Sequence, residues 1–240
     1  MEVMMNLIKN PNINSSWLFR ADILHDEEGS GRFMGPPEVG YDLQIPSFSG
    51  FECKRYMIRK LIPRNTQRDE PLDQTCLVYE STGSEDVQQT LIVYLPHLSN
   101  PEEVPFYHPK AKGVGFLHCW NAKESAGTIS IHYLYFPDCE VTTKLTRTAL
   151  HLLTVISKHG EGKVKGYVKR VHHDVVIPQA TFQNRYAALK SQYAKRLIDT
   201  WAESTDPLKH VFEDLGIATF FIELWKKMYP DTTPLSLIHI

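Results

Sequence analysis

Between residues 51 and 136 the apolar and β-branched positions come in short runs separated by turn-forming clusters. After Thr143 they recur at spacings of three and four. Residues 75–80, 90–95, 114–120 and 128–136 read as strands, and 51–62, carried by Tyr56, Ile58 and Ile62, as a weaker one. Alternation over 128–136 sets Ile129, Ile131, Tyr133 and Tyr135 on one face and Ser130, His132 and Leu134 on the other. Strands that follow one another with no helix between them predict an antiparallel sheet.

The periodicity then predicts a helix over 143–159, with Leu145, Ala149, Leu152, Leu153 and Ile156 facing inward and Gly160 at the helix-ending position. A short strand, 175–177, is expected before Pro178. A second helix, 180–201, aligns Phe182, Tyr186, Leu189, Tyr193, Leu197 and Trp201 against Arg185, Lys190, Lys195 and Arg196. Asp206-Pro207 is a start signal for a third helix reaching about 228. That helix is apolar nearly all round, the pattern of a helix buried against a larger body, with Glu213-Asp214 expected to face solvent or a basic partner.

The expected fold is α+β. Residues 1–50, rich in Asn, Pro, Gly and acidic clusters, form a loosely ordered lead-in. Residues 51–178 form a domain with a mostly antiparallel sheet and a packing helix, and 179–230 a helical segment.

At 240 residues, 42% hydrophobic and 22% charged, the composition is that of an ordinary globular protein. A net charge of −2 gives no global field for nucleic acid, so RNA contact requires a local patch, and no DNA partner is expected. Cys53, Cys76, Cys119 and Cys139 are scattered without a C-x-x-C pair, so neither a zinc ribbon nor a redox dithiol is expected. No apolar run approaches the roughly 20 residues that span a bilayer, and no membrane partner is expected. The start of the chain has no signal- or transit-peptide pattern, which predicts a soluble intracellular protein.

Residues 158–174 (K-H-G-E-G-K-V-K-G-Y-V-K-R-V-H-H-D) combine cations, glycines, a tyrosine and histidines. Cations neutralise a phosphate backbone, glycines allow close approach, and an aromatic ring can stack on an unpaired base. Lys163, Lys165, Tyr167, Lys169, Arg170, His172 and His173 are therefore the RNA-binding candidates, the alternative being a solvated hairpin. His172 and His173 would point to opposite sides of an extended chain, so no metal site is assigned. Gly160-x-Gly162-x-x-x-Gly166 follows a helix and has the wrong spacing for a dinucleotide turn. No G-x-S-x-G elbow occurs, and no catalytic nucleophile is assigned.

The ordered segments H-L-L-T-V-I-S-K-H-G-E-G, G-Y-V-K-R-V-H-H-D-V-V-I-P, Y-A-A-L-K-S-Q-Y-A-K-R-L-I-D-T-W, T-D-P-L-K-H-V-F-E-D-L-G-I-A and F-I-E-L-W-K-K-M-Y cover about 130–230. This combination closely resembles the eukaryotic tRNA(Ser) uridine ribose 2′-O-methyltransferase family. The resemblance implies a cytoplasmic enzyme that uses S-adenosyl-L-methionine to methylate a uridine ribose of serine tRNA. In that family these helices lead into a Rossmann-like domain opening with a D-L-G-C-G-N-G turn. No such turn occurs in this chain, so no catalytic or cofactor residue carries over, and the chain is expected to be an inactive N-terminal piece. The ending L-S-L-I-H-I (235–240) resembles a translated library adapter and is expected to be a non-native tail, the natural protein continuing past about Pro234. The alternative is a non-enzymatic RNA-binding or adaptor module.

Overall fold

The computed structural model describes residues 1–29, 45–66, 68–83, 86–137, 139–168 and 175–230. The chain divides into two compact units, Met1–Tyr167 and Val168–Ile240.

The first unit is built on six strands: β1 (Leu18–Glu28), β2 (Phe51–Pro63), β3 (Leu72–Ser81), β4 (Val87–Pro96), β5 (Gly113–Asn121) and β6 (Ala126–Leu134). They form one antiparallel meander in which each strand pairs with its neighbour in sequence. Helix α1 (Glu2–Lys9) and helix α2 (Thr143–Val164) contribute to the core on one face of it. That core takes Met4, Leu7 and Ile8 from α1, alternate strand residues Met57, Cys76, Val78, Ile92, Tyr94, Val114 and Phe116, and Ile156 from α2. Ile129, Ile131 and Tyr133 pack against it, as the alternation in β6 predicts.

The intervening positions Tyr56, Ile58, Leu77, Tyr79 and Val93 are also buried, on the opposite face, under Ile45, Phe48 and Phe51. The Tyr79 hydroxyl donates to the Pro46 carbonyl at 2.7 Å, and Phe48 meets the Tyr79 ring edge-on at 5.1 Å. Covering both faces explains why the middles of β3 (Cys76–Tyr79) and β4 (Leu91–Leu95) read as continuous apolar runs. The four cysteines are free thiols.

Two expectations are corrected here. Residues 1–50 are not a loose lead-in where they are described: α1 supplies core side chains and β1 is a full strand of the sheet. Their sequence misleads because Asn10, Pro11 and Asn14 punctuate a short helix and a 3-10 turn, while β1 carries polar residues on an edge. Residues 175–177 bend and do not form a strand. The compact units divide ahead of the expected boundary at 178.

The second unit contains α3 (Gln179–Asp199) and α4 (Pro207–Met228). Leu189 and Ala194 of α3 pack on Val211 and Leu215 of α4, with Tyr186, Tyr193, Phe212 and Ile222 around them. Asp206 caps α4 by accepting from the Leu208 amide at 3.0 Å, and Pro207 takes the first helical position. Arg185 pairs with Glu223 at 2.7 Å. Glu213 and Asp214 are exposed, as expected. The all-round apolar reading of α4 is half fulfilled: Val211, Leu215 and Thr219 are buried, while Ile217, Phe220 and Phe221 remain exposed.

A polar pair, Arg59 and Gln74, interrupts the inner sheet face. Arg59, 4% exposed, donates through Nη1 to the Ile8 carbonyl at the end of α1 and through Nε and Nη2 to Gln74 Oε1 at 3.0 and 2.6 Å. Its guanidinium also lies 4.6 Å from the centre of the Tyr94 ring. Arg59→Met would leave the Ile8 carbonyl and the Gln74 amide oxygen unpaired in the interior. A loss of about 3 kcal/mol in urea unfolding of the first unit is expected. A change within about 0.5 kcal/mol, the range of an ordinary surface substitution, would show that this contact does not anchor α1.

Candidate nucleic-acid interface

The predicted basic segment is not a single loop. Helix α2 runs through Gly160 and Gly162 and ends only after Val164, with Lys165 as its C-cap. Gly166, at φ +77°, supplies the left-handed turn assigned in sequence to Gly160. Its amide donates to the Lys163 carbonyl at 3.0 Å and the Tyr167 amide to the Gly162 carbonyl at 2.9 Å, the paired bonds of a Schellman stop. Glycine inside a helix costs roughly 1 kcal/mol and does not by itself end one.

Lys163 therefore sits in the last helical turn, where it pairs with Glu2 of α1 at 2.7 Å. That ammonium, with its hydrogen bond first and its charge second, holds the Glu2 carboxyl below its ordinary range. Lys165 pairs with Glu161 at 3.2 Å. Tyr167 lies just past the stop and is well exposed, free to meet a flat ring. Lys169, Arg170, His172 and His173 lie outside the described residues. The structure thus brings Lys163, Lys165 and Tyr167 to one helix end, beside a groove of about 640 Å³ lined by Ile129, Ser157, Lys158 and Glu161.

A second concavity of about 510 Å³ opens near the other end of α2. Its floor is the polar interruption of the sheet: Arg59, Gln74, His108 and Tyr94, each at least nine-tenths buried. His108 Nδ1 lies 2.8 Å from the Pro109 carbonyl, which can only accept, so Nδ1 carries the proton. Its Nε2 then accepts from Gln74 Nε2 at 2.9 Å, which turns Gln74 Oε1 toward Arg59. The Tyr94 hydroxyl has no hydrogen-bond partner among the described residues.

At the mouth stand Trp17 (45% exposed) and Phe106 (59% exposed), edge to face at 5.3 Å. Lys144 donates to the Phe106 carbonyl at 3.0 Å and lies over that ring at 3.8 Å, while the Arg68 guanidinium lies over Trp17 at 4.9 Å. His151 Nε2 is 3.0 Å from the Asn14 carbonyl. Sequence reasoning does not single out Trp17, Tyr94, Phe106, Lys144 or Arg147, because they come from four separate segments.

Residues 1–170 match the family described as TRM44-like, N-terminal bet v1-like domain. The chain belongs to this family. Residues 176–240 match a second family model, described as Predicted AdoMet-dependent methyltransferase. Among curated relatives, the tRNA (uracil-O(2)-)-methyltransferase of Neurospora crassa is 55% identical over 234 residues, covering 95% of this chain and 46% of that protein. The enzyme of the same name from Saccharomyces cerevisiae is 39% identical over 266 residues, covering 96% and 46%; that from Schizosaccharomyces pombe is 36% identical over 246 residues, covering 100% and 47%. The chain spans about half the length of these relatives. No solved structure matches it.

The second match implies a site for a methyl donor. Its described residues form α3 and α4 with no strand among them, and Gly216, their one glycine, lies inside α4. A nucleoside cofactor needs a strand, a glycine turn and a helix N-terminus at which backbone amides converge. The described residues do not fit S-adenosylmethionine. Among them, no helix is long and apolar enough to cross a membrane.

Burial is the main cause that pushes the His108 imidazole down to about 4; the Arg59 charge adds to it and the Pro109 carbonyl opposes it. The unfolded imidazole takes its proton near pH 6.5, so stability from a neutral His108 is present above that value and lost as pH falls from 6.5 toward 4. Relative to His108→Gln, the native chain should lose about 1.4 kcal/mol per pH unit over that window, reaching about 3 kcal/mol. Urea midpoints measured in parallel at pH 7 and pH 5 check this, and superimposable pH profiles would refute it.

Proposed function

We propose that this chain is the tRNA-binding N-terminal part of an S-adenosyl-L-methionine-dependent tRNA (uracil-2′-O)-methyltransferase, cytoplasmic, acting on a uridine ribose of serine tRNA. The reading is carried by one observation. Relatives named tRNA (uracil-O(2)-)-methyltransferase align along 95% or more of this chain while extending to about twice its length. The donor pocket and the groups that act on the ribose hydroxyl belong, on this reading, to a Rossmann-like domain beyond the residues described.

Two structural features support it. The exposed apolar side of α4, with Ile217, Phe220 and Phe221, is a surface suited to packing on such a domain. The cations and the tyrosine at the end of α2 are groups that hold a phosphate backbone and stack on a base. Lys163, Lys165, Tyr167, Lys169, Arg170, His172 and His173 remain the contacts proposed for that end.

Both halves of the reading are measurable. In a gel shift, the chain should retard a serine tRNA transcript, and charge reversal of Lys163, Lys165, Lys169 and Arg170 together should weaken binding by at least tenfold. Retardation unchanged by the four reversals would remove the helix end from the interface. Calorimetric titration with S-adenosylmethionine should give no heat of binding at micromolar concentrations; a saturable micromolar isotherm would overturn the assignment of the donor pocket to another domain.

A further inference from the structure

Helix α2 carries Lys144, His151, Lys158 and Lys165 at intervals of seven, with Arg147 one turn after the first. Seven residues are close to two helical turns, so these side chains form a stripe along one side of α2, and the rise of the helix makes it roughly 32 Å long. All five are exposed. The stripe joins the two concavities: Lys144, Arg147 and His151 line the one with the buried polar floor, and Lys158 and Lys165 the groove at the helix end. Arg147 and Lys158 make no ion pair among the described residues, whereas Lys165 is partly neutralised by Glu161.

The wall of the upper concavity has the charge of an anion receptor. It contains Arg59, Lys144 and Arg147, and no carboxylate among its described residues. Its volume of about 510 Å³ is that of a small-ligand site. Trp17 and Phe106 at the mouth offer flat apolar surfaces of the kind on which nucleobases stack. Deeper in, Tyr94, 6% exposed, carries a hydroxyl that has no hydrogen-bond partner among the described residues. Such a group is costly to bury and is satisfied when a polar ligand edge reaches it.

We propose that this concavity receives an unpaired nucleotide of an RNA whose backbone follows the α2 stripe. The base enters past Trp17 and Phe106 toward the Tyr94 hydroxyl, and the flanking phosphates lie on Lys144, Arg147 and Lys158. Single-stranded and looped RNA is bound in this manner, by a cationic track with aromatic platforms, because its bases are free to leave the stack. The proposal rests on the tRNA-binding reading above and adds to it a second, separate set of contacts.

The test uses the whole chain, with a fluorescent oligouridylate and a serine tRNA transcript as probes. Arg147→Glu combined with Lys158→Glu removes two exposed cations that make no ion pair among the described residues. This pair should weaken tRNA binding at least tenfold and reduce the slope of log K against log salt by about 1.4 to 1.8, two phosphates' worth. Trp17→Ala with Phe106→Ala should weaken oligouridylate binding by about tenfold. Tyr94→Phe, which keeps the ring under Arg59, should weaken it about threefold with the salt slope unchanged. Circular dichroism and thermal unfolding identify any variant that fails to fold, and Tyr94→Phe together with the charge pair then decides the matter. Wild-type binding of tRNA that all folded variants retain within twofold would overturn this proposal and leave the tRNA-binding reading standing. A wild-type chain that binds neither probe at low salt would overturn both.

Discussion

Arg59 is a full positive charge set in the middle of an apolar sheet face, and the first unit is organised around keeping it satisfied. Its hydrogen bonds go to neutral oxygens, the Gln74 amide on the paired strand and the Ile8 carbonyl at the end of α1. Among the described residues no carboxylate pairs with it. The C-terminal end of a helix carries partial negative charge, so α1 serves as a diffuse counterion as well as a packing element. This explains why eight residues at the very start of the chain hold a fixed place. Gln74 in turn hands the constraint to His108, whose tautomer is set by Pro109. Helix, two strands and a long connection between β4 and β5 are thus tied by one continuous network.

The network has a functional side because its members also form the floor of the concavity under α2. Buried polar groups held by one another keep fixed positions, and a rigid floor with one unsatisfied hydroxyl is a better receptor than a mobile one. The contrast with the far end of α2 is chemical as well as spatial. There the cations are exposed, partly paired, and close to the end of the helix. At the near end aromatic rings and cations surround a cleft with depth.

Much of the fold was legible in sequence. Period two in β6 placed Ile129, Ile131 and Tyr133 on the core side, and the cap Asp206-Pro207 marked the start of α4 within a residue. Three features were misread for identifiable reasons. Gly160 looked like a stop, but a stop needs backbone bonds that wrap the last turn, and only Gly166 has them. The first fifty residues looked loose because turn residues outnumber apolar ones there, although Met4, Leu7 and Ile8 already had the spacing of a buried helix side. The valines at 175–176 had strand propensity but no partner strand among the described residues of their unit, and propensity without a partner does not make a sheet. The concavity was not legible at all, because Trp17, Arg59, Tyr94, Phe106 and Lys144 are scattered in sequence. The recurrence of cations every seven residues in α2 was visible and is the signal that leads to it.

The burial of both faces of β2, β3 and β4 has a consequence for how the chain finds its fold. In a sheet with one wet side, sliding a strand by one position turns its greasy residues toward water and is penalised at once. Here such a slide would exchange one oily surface for another, and hydrophobicity alone would hardly notice. What notices is the cross-strand couple Arg59–Gln74: displaced by a single step, the guanidinium would face the opposite layer and lose the Gln74 oxygen and the Ile8 carbonyl. The Arg59–Gln74 couple therefore acts as the alignment mark of a largely greasy sheet.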